Sequence, residues 1–310
     1  MHGILLIDKP EGYTSHQIVK IVKRRLGNFK VGHTGTLDPA ATGLLVILVG
    51  VASRALDYLD ETKKRYILGV RLGEATDTCD REGQVIRTSD VSHITKQDIL
   101  KSIPKFLGSI TQIPPHFSAI KKDGAPLYKL ARKGIFPEIK PRAVQVFELE
   151  LTDFSMPDIQ LDMSCSKGTY ARAIARDLGE ELAVGARLET LRRTSSGPFE
   201  VSQAVDLEFI QKASLTEIHT SIIPLDKVLE NIPRIMTGAS ELKRLSTGGA
   251  LKISIDRIPG EYLSEKYLQS PFRVSAPSSG LLIIVRLKID GDSVVVSPEK
   301  LFNWLESSLV

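Results

Sequence analysis

Gly43-Leu44-Leu45-Val46-Ile47-Leu48-Val49-Gly50 sets six aliphatic side chains in a row between two glycines. A run this short and this apolar reads as a strand buried in a core, Leu44–Val49. Even extended to Ala52 it cannot cross a bilayer, which takes about 20 apolar residues. Ile4–Ile7 reads as a second buried strand. Tyr66, Leu68, Val70 and Leu72 alternate along residues 65–73, the pattern of a half-buried strand. Residues 143–151 and 159–165 alternate in the same way, and Leu188–Arg192 reads as a short strand before Gly197-Pro198. Residues 84–87 are expected to pair with the 65–73 strand across the turn at Asp80-Arg81-Glu82-Gly83.

Helices fall between these strands. Thr14 or Ser15 caps a helix whose stripe is Ile18, Val19, Ile21, Val22 and Leu26, ending in Lys23-Arg24-Arg25-Leu26-Gly27. Residues 95–106 and 169–182 are helical by pattern. Strands with helices grouped between hairpins predict an α+β fold, with a mixed, largely antiparallel central sheet flanked by helices. No repeat of 20–50 residues is present. The 310 residues suggest about two domains. A boundary is expected between Ile223-Pro224 and Ile232-Pro233. Beyond it, 281–287 and 293–296 are strand-like around Asp290-Gly291, and 257–280 reads as a long loop.

The composition is that of an ordinary soluble chain, 42% hydrophobic and 25% charged, with a net charge of +4. Residues 120–142 alone carry seven basic and two acidic side chains, counting Lys121, Lys122, Lys129, Arg132, Lys133, Lys140 and Arg142 against Asp123 and Glu138. The rest of the chain is therefore close to neutral, and the positive charge is concentrated as a phosphate-binding surface requires. Cys79 and Cys165 have no His or Cys neighbours at metal spacing, so no metal site is expected. Two such cysteines, and an N-terminus without a basic leader, imply a cytoplasmic protein.

The chemistry points to Val31-Gly32-His33-Thr34-Gly35-Thr36-Leu37-Asp38-Pro39. Gly32 and Gly35 permit tight turns, and Pro39 pushes Asp38 out of the helical region. A carboxylate on such a loop, next to a buried strand, is presented rather than packed. The segment resembles the signature loop of pseudouridine synthases of the TruB type, over roughly residues 2–235. That resemblance implies a central sheet of the pseudouridine synthase type. It also implies isomerisation of a uridine in the tRNA T-loop (position 55), without cofactor or metal, and Asp38 as the catalytic carboxylate acting on a flipped-out nucleotide.

Further segments match the same family. Gly168-Thr169-Tyr170-Ala171-Arg172 resembles its Gly-Thr-Tyr-x-Arg motif. Thr169 can cap the helix, leaving Arg172 one turn in and able to pair with and ionise a carboxylate. Tyr66, after Lys63-Lys64-Arg65, corresponds to a tyrosine that stacks on the target base and is implicated in proton transfer. Asp38, Tyr66 and Arg172 are thus the expected catalytic set. Asp80 either bonds the active-site arginine or tyrosine, or caps a turn. His33 and Tyr170 are expected against the RNA, and Leu191, in Leu191-Arg192-Arg193, beneath the base or simply in the core. Lys121, Lys122 and Arg132 belong to an RNA-clamping insertion, about 105–142, where Phe117 replaces the family's usual tyrosine. Lys9, Pro10 and Gly35 are expected to support the active-site loop.

The implied organisation is a catalytic domain, 1–232, and a small β-rich, PUA-like RNA-binding module, 233–310. The expected partner is the T-arm stem-loop of tRNA, engaged by a monomer with no membrane association. Two other classes compete with this reading. One is a tRNA-binding module without chemistry. The other is a glycoside hydrolase, which would use Asp38 and Asp80 as its carboxylate pair.

Overall fold

The computed structural model describes residues 1–59, 62–118, 120–122, 124–276 and 280–303. Asp123, counted above in the basic run, lies outside them. A large mixed sheet forms the centre. Its main path runs Val205–Asp206, Gly3–Lys9, Thr42–Val49, Ala186–Ser196, Lys63–Leu72, Asp158–Ser166, Arg142–Ser155, Gly108–Gln112. All pairings along it are antiparallel except two. Gly3–Lys9 runs parallel to Val205–Asp206, and Thr42–Val49 meets Ala186–Ser196 in parallel at Thr42–Arg192 and Gly43–Arg193.

The all-apolar strands lie where both faces are covered. Leu5 and Ile7, with Leu45, Ile47 and Val49, pack under the helix Ser15–Leu26 and the helices near 207–220. Ile4, Leu6, Leu44, Val46 and Leu48 close the opposite face against Phe199. On the other half of the sheet, Tyr66, Leu68, Val70 and Leu72 share a core with Ile99, Ile103 and Phe106 and with Ile174 and Leu178 of the helix Ala171–Glu181. Thr14 caps the first helix in a full capping box with Gln17.

Several local expectations are corrected. Residues 85–88 pair with Glu74–Thr76, not with Lys63–Leu72, because the latter has both edges filled by the strands at 158–166 and 186–196. The short strand expected at 188–192 is eleven residues long, with bulges that bend it across the sheet's centre. Residues 96–102 are helical and Pro104 tightens the following turn into a 3-10 segment. Thr169 does not cap the helix at 171. Tyr170 stands at the cap position without a side-chain capping bond, and Arg172 is the second helical residue. Within 257–280, Phe272–Ala276 forms a strand rather than loop, paired with Leu281–Asp290. It belongs to a four-stranded antiparallel sheet with Ser293–Asn303 and Leu251–Ser254, the last unforeseen.

Candidate active site

The signature loop leaves the strand Val31–His33 and re-enters the sheet at Thr42. Ser15, at the start of the first helix, anchors it: its Oγ accepts from Leu37 N (2.9 Å) and donates to Leu37 O (3.1 Å). Lys9 anchors the other side. Its Nζ donates to the carbonyls of Pro10 (2.9 Å), Tyr13 (2.7 Å) and Pro39 (3.2 Å), and Gly12 N also donates to Pro39 O. The Lys9 side chain is fully buried, and desolvation brings its pKa down to about 8, partly offset by Asp38 and Glu11. The loop is thus pinned on both sides of Asp38, whose carboxylate projects from it.

Arg172 meets that carboxylate. Its Nη2 lies 2.9 Å from Asp38 Oδ2 and its Nη1 3.2 Å from Asp80 Oδ2. The same guanidinium donates to the carbonyls of Phe117 (2.9 Å) and Thr78 (3.4 Å). Only 6% of its side chain is accessible, so its direction is set by four fixed acceptors. Asp80 fulfils both readings offered for it. Oδ2 holds Arg172, while Oδ1 accepts from Thr78 Oγ1 and from Glu82 N and closes a turn.

Asp38 and Arg172 open into a cavity of about 440 Å³. Its walls are the loop from Thr34 to Asp38, Lys64 and Tyr66, Ser118, the segment Lys167–Arg172, and Leu191 with Arg193. Its volume is that of a site for a small ligand or a single nucleoside. The Asp38 side chain is 43% accessible and lines this recess. Burial pushes its carboxyl above the ordinary value. Arg172 pulls it down, Asp80 pushes it up and Lys9 pulls it down, with the net direction upward.

Tyr66 is buried on the cavity wall. Desolvation raises its phenol, while contact with the Arg193 side chain acts against that rise. At neutral pH it is therefore an uncharged ring, suited to stacking and to donating a proton. Arg193 is almost wholly buried, and donates from Nε to Leu44 O (2.7 Å) and from Nη2 to Gly35 O (3.1 Å). A Cβ on Gly35 would stand 2.6 Å from Lys64 Nζ, so a side chain there would displace the lysine's ammonium. Lys64 and Arg193 were not among the expected site residues. The signal for them was strand parity. Lys64 shares a face with Tyr66 and Leu68, and Arg193 sits opposite Tyr66 just as Leu191 sits opposite Leu68.

The other expected residues divide into two groups. Tyr170 and Leu191 line the cavity, and the Pro10 carbonyl accepts from the Lys9 ammonium that also holds the loop at Pro39. His33, half-buried on its strand, does not line it. Lys121, Lys122 and Arg132 lie on the insertion, away from the cavity walls. Lys122 donates to Glu138 O, and Arg132 sits 5.8 Å from the Tyr128 ring. Asp80 turns towards Arg172 and does not line this cavity; it shares with Asp38 only a second cleft of about 20 Å³, so the two carboxylates meet one guanidinium rather than flank a ligand-sized space. Among the described residues, no cluster of three His, Cys, Asp or Glu side chains could hold a metal ion, and no helix is long and apolar enough to cross a membrane.

Residues 23–171 match the TruB family pseudouridylate synthase N-terminal domain, and residues 172–236 match the tRNA pseudouridylate synthase B C-terminal domain. The tRNA pseudouridine synthase B of Syntrophotalea carbinolica is 44% identical over 248 residues, 80% of this chain and 81% of that protein. The protein of the same name from Mannheimia succiniciproducens is 36% identical over 307 residues, 98% of this chain and 96% of its own. In fold, the chain resembles the solved structure titled "Crystal Structure of a Cbf5-Nop10-Gar1 Complex". The TM-score is 0.68 at 23% identity, over 97% of this chain and 84% of that one. The matches and the mixed sheet define the class, the pseudouridine synthases, which are isomerases. Within that class the chain belongs to the TruB family.

Proposed function

We propose that this protein isomerises a uridine in the T-loop of tRNA, at position 55, to pseudouridine, with Asp38 as the reacting carboxylate. The observation that carries this reading is the Asp38–Arg172 pair at 2.9 Å on the wall of a nucleoside-sized cavity, within a TruB-family chain. The reaction breaks C1′–N1, turns the base and rejoins it through C5, whose proton must leave. Asp38 supplies the anion, as nucleophile or as counter-charge at C1′. Arg172 keeps it ionised and aimed. Tyr66, neutral and flat, stacks on the extruded base, with Leu191 beneath it.

The base reaches Asp38 only after leaving the T-loop stack. The exposed cations of the insertion at about 105–142 supply the phosphate contacts that hold the arm while it does so. Residues 1–232 carry the chemistry in this reading, and 233–310 act as a PUA-like module binding another part of the tRNA. In this reading the protein acts as a monomer. Asp38→Asn is expected to abolish tritium release from 5-tritiated T-arm RNA and leave RNA affinity within about two-fold. Substantial residual turnover would overturn the assignment.

A further inference from the structure

Gln112 is the last residue of the strand Gly108–Gln112, where the chain leaves the sheet for the basic insertion. It is 1% exposed, a polar side chain in the core. Both ends of its carboxamide are used on one residue. Oε1 accepts from Tyr170 N at 2.8 Å, and Nε2 donates to Tyr170 O at 3.1 Å. A carboxamide offers an acceptor and a donor side by side in this way.

Tyr170 is the residue from which the helix Ala171–Glu181 starts. Its backbone is extended and its side chain makes no capping bond, so locally the first turn is closed only by Ala173 N (3.1 Å) and Ile174 N (3.2 Å) donating to Tyr170 O. Gln112 holds it from across the sheet. Arg172 lies two residues on. The same helix is tied to the root of the insertion twice more, by Arg176 Nη2 to Ile113 O (3.0 Å) and by Arg172 Nη2 to Phe117 O (2.9 Å). These two bonds fix guanidinium ends, whereas the Gln112 pair fixes backbone. A small tilt at Tyr170 moves the Arg172 Cα, and a displacement of about 1 Å at a reacting group can cost about a hundred-fold in rate.

We infer that Gln112 is a positioning residue, clamping the Tyr170 peptide groups so that Arg172 meets Asp38 in the productive geometry. The inference rests on the reading of Asp38 as the reacting carboxylate. It also gives a physical link between the insertion and the catalytic pair, since the clamp sits at the insertion's root.

The test uses the full chain with Gln112→Met, which keeps the shape and removes both bonds, and Gln112→Glu, which keeps the acceptor for Tyr170 N and regains a donor only when protonated. Two readouts are taken. The first is single-turnover rate and affinity on T-arm RNA. The rate is expected to fall about ten-fold or more in Gln112→Met and less in Gln112→Glu, with affinity within about two-fold. The second is NMR titration of the Asp38 carboxyl in the free protein. The charged groups that set this titration are Arg172, Asp80 and Lys9, with Lys64 and Arg193 on the same walls. Losing the clamp loosens Arg172, which lowers the Asp38 pKa, so the midpoint is expected to move up in Gln112→Met. An unmoved midpoint, with either an unchanged rate or a rate and affinity that fall together, overturns the inference. A wild-type chain that does not turn over T-arm RNA refutes the functional reading instead. The titration, which needs no RNA, still decides the role of Gln112.

Discussion

Burial pushes the Asp38 carboxyl up while the guanidinium beside it pulls down, and burial wins. Turnover needs the ionised form. Rate should therefore rise with pH along an acid limb that lies above the ordinary carboxylate range. Asp80 is one of the groups that raise Asp38. In Asp80→Asn the limb is expected to move to lower pH, read from kcat/KM profiles, provided Arg172 stays in place. Lys9 gives the opposite kind of linkage. Its folded pKa is about 8 against 10.5 in the unfolded chain, so between those values the unfolded state binds more protons and stability rises with pH. The rise is worth at most about 3 kcal/mol, at about 1.4 kcal/mol per pH unit. Urea midpoints compared at pH 7.5 and 9.5 should show it in the wild type, and Lys9→Met should lack that component. Asp38 and Arg172 were legible at this scale because each sits in a dense motif. Lys64 and Arg193 were not, because a single Lys or Arg looks like any solvated cation until its neighbours across the strands are known.

Strand Thr42–Val49 reaches its parallel neighbour through a glycine with left-handed backbone. Gly43 has φ +97°, and a Cβ there would lie 2.2 Å from Arg193 O. Gly27, after the first helix, has φ +70° but open space around it. Gly27→Ala should then cost only the backbone strain, about 1–3 kcal/mol, whereas Gly43→Ala adds a backbone collision and should cost more than that. Denaturant midpoints of the two variants separate the terms. The insertion offers a different measurement. Lys105, at the insertion's start, pairs with Glu181, but none of the seven cations in residues 120–142 pairs with a described carboxylate, so those seven remain available to phosphates. Lys121→Ala combined with Lys122→Ala is expected to weaken RNA binding and to flatten the slope of log affinity against log salt by about 1–2. Elements with strict alternation were legible as strands. The partner of residues 85–88 was not, because alternation gives the face of a strand but never its neighbour. The cap at residue 170 was hidden for a related reason, as the group that secures it is 58 residues away in the chain.

The late sheet does not stand alone. In Leu281–Asp290, Ile283, Val285 and Leu287 face the sheet's own core, while Leu282 and Ile284 face the other way. Those two, with Phe302, pack against Ala52, Ala55, Leu225, Leu229 and Ile232. The continuous run Leu281-Leu282-Ile283-Ile284-Val285 carried that signal: a strand apolar on both sides has two surfaces to bury. The Pro-punctuated boundary at 223–234 suggested separation, yet polar ties cross it as well. Arg273 donates to Asp226 Oδ1 (2.8 Å) and to Ile232 O (2.9 Å), and Tyr58 donates to Glu299 Oε1 (2.8 Å). A shared apolar core couples the unfolding of its two sides, because exposing either leaves the other's buried face in water. The chain is therefore expected to melt in one transition, with probes in the late sheet and in the cavity coinciding. Phe302→Ala empties a fully buried ring site at this seam and should cost about 3–5 kcal/mol, lowering both probes' midpoints together. Two separated transitions in the wild type, with the variant shifting only the late-sheet one, would show instead that the two sheets fold independently. The late sheet would then be a tethered appendage rather than part of the scaffold behind Asp38.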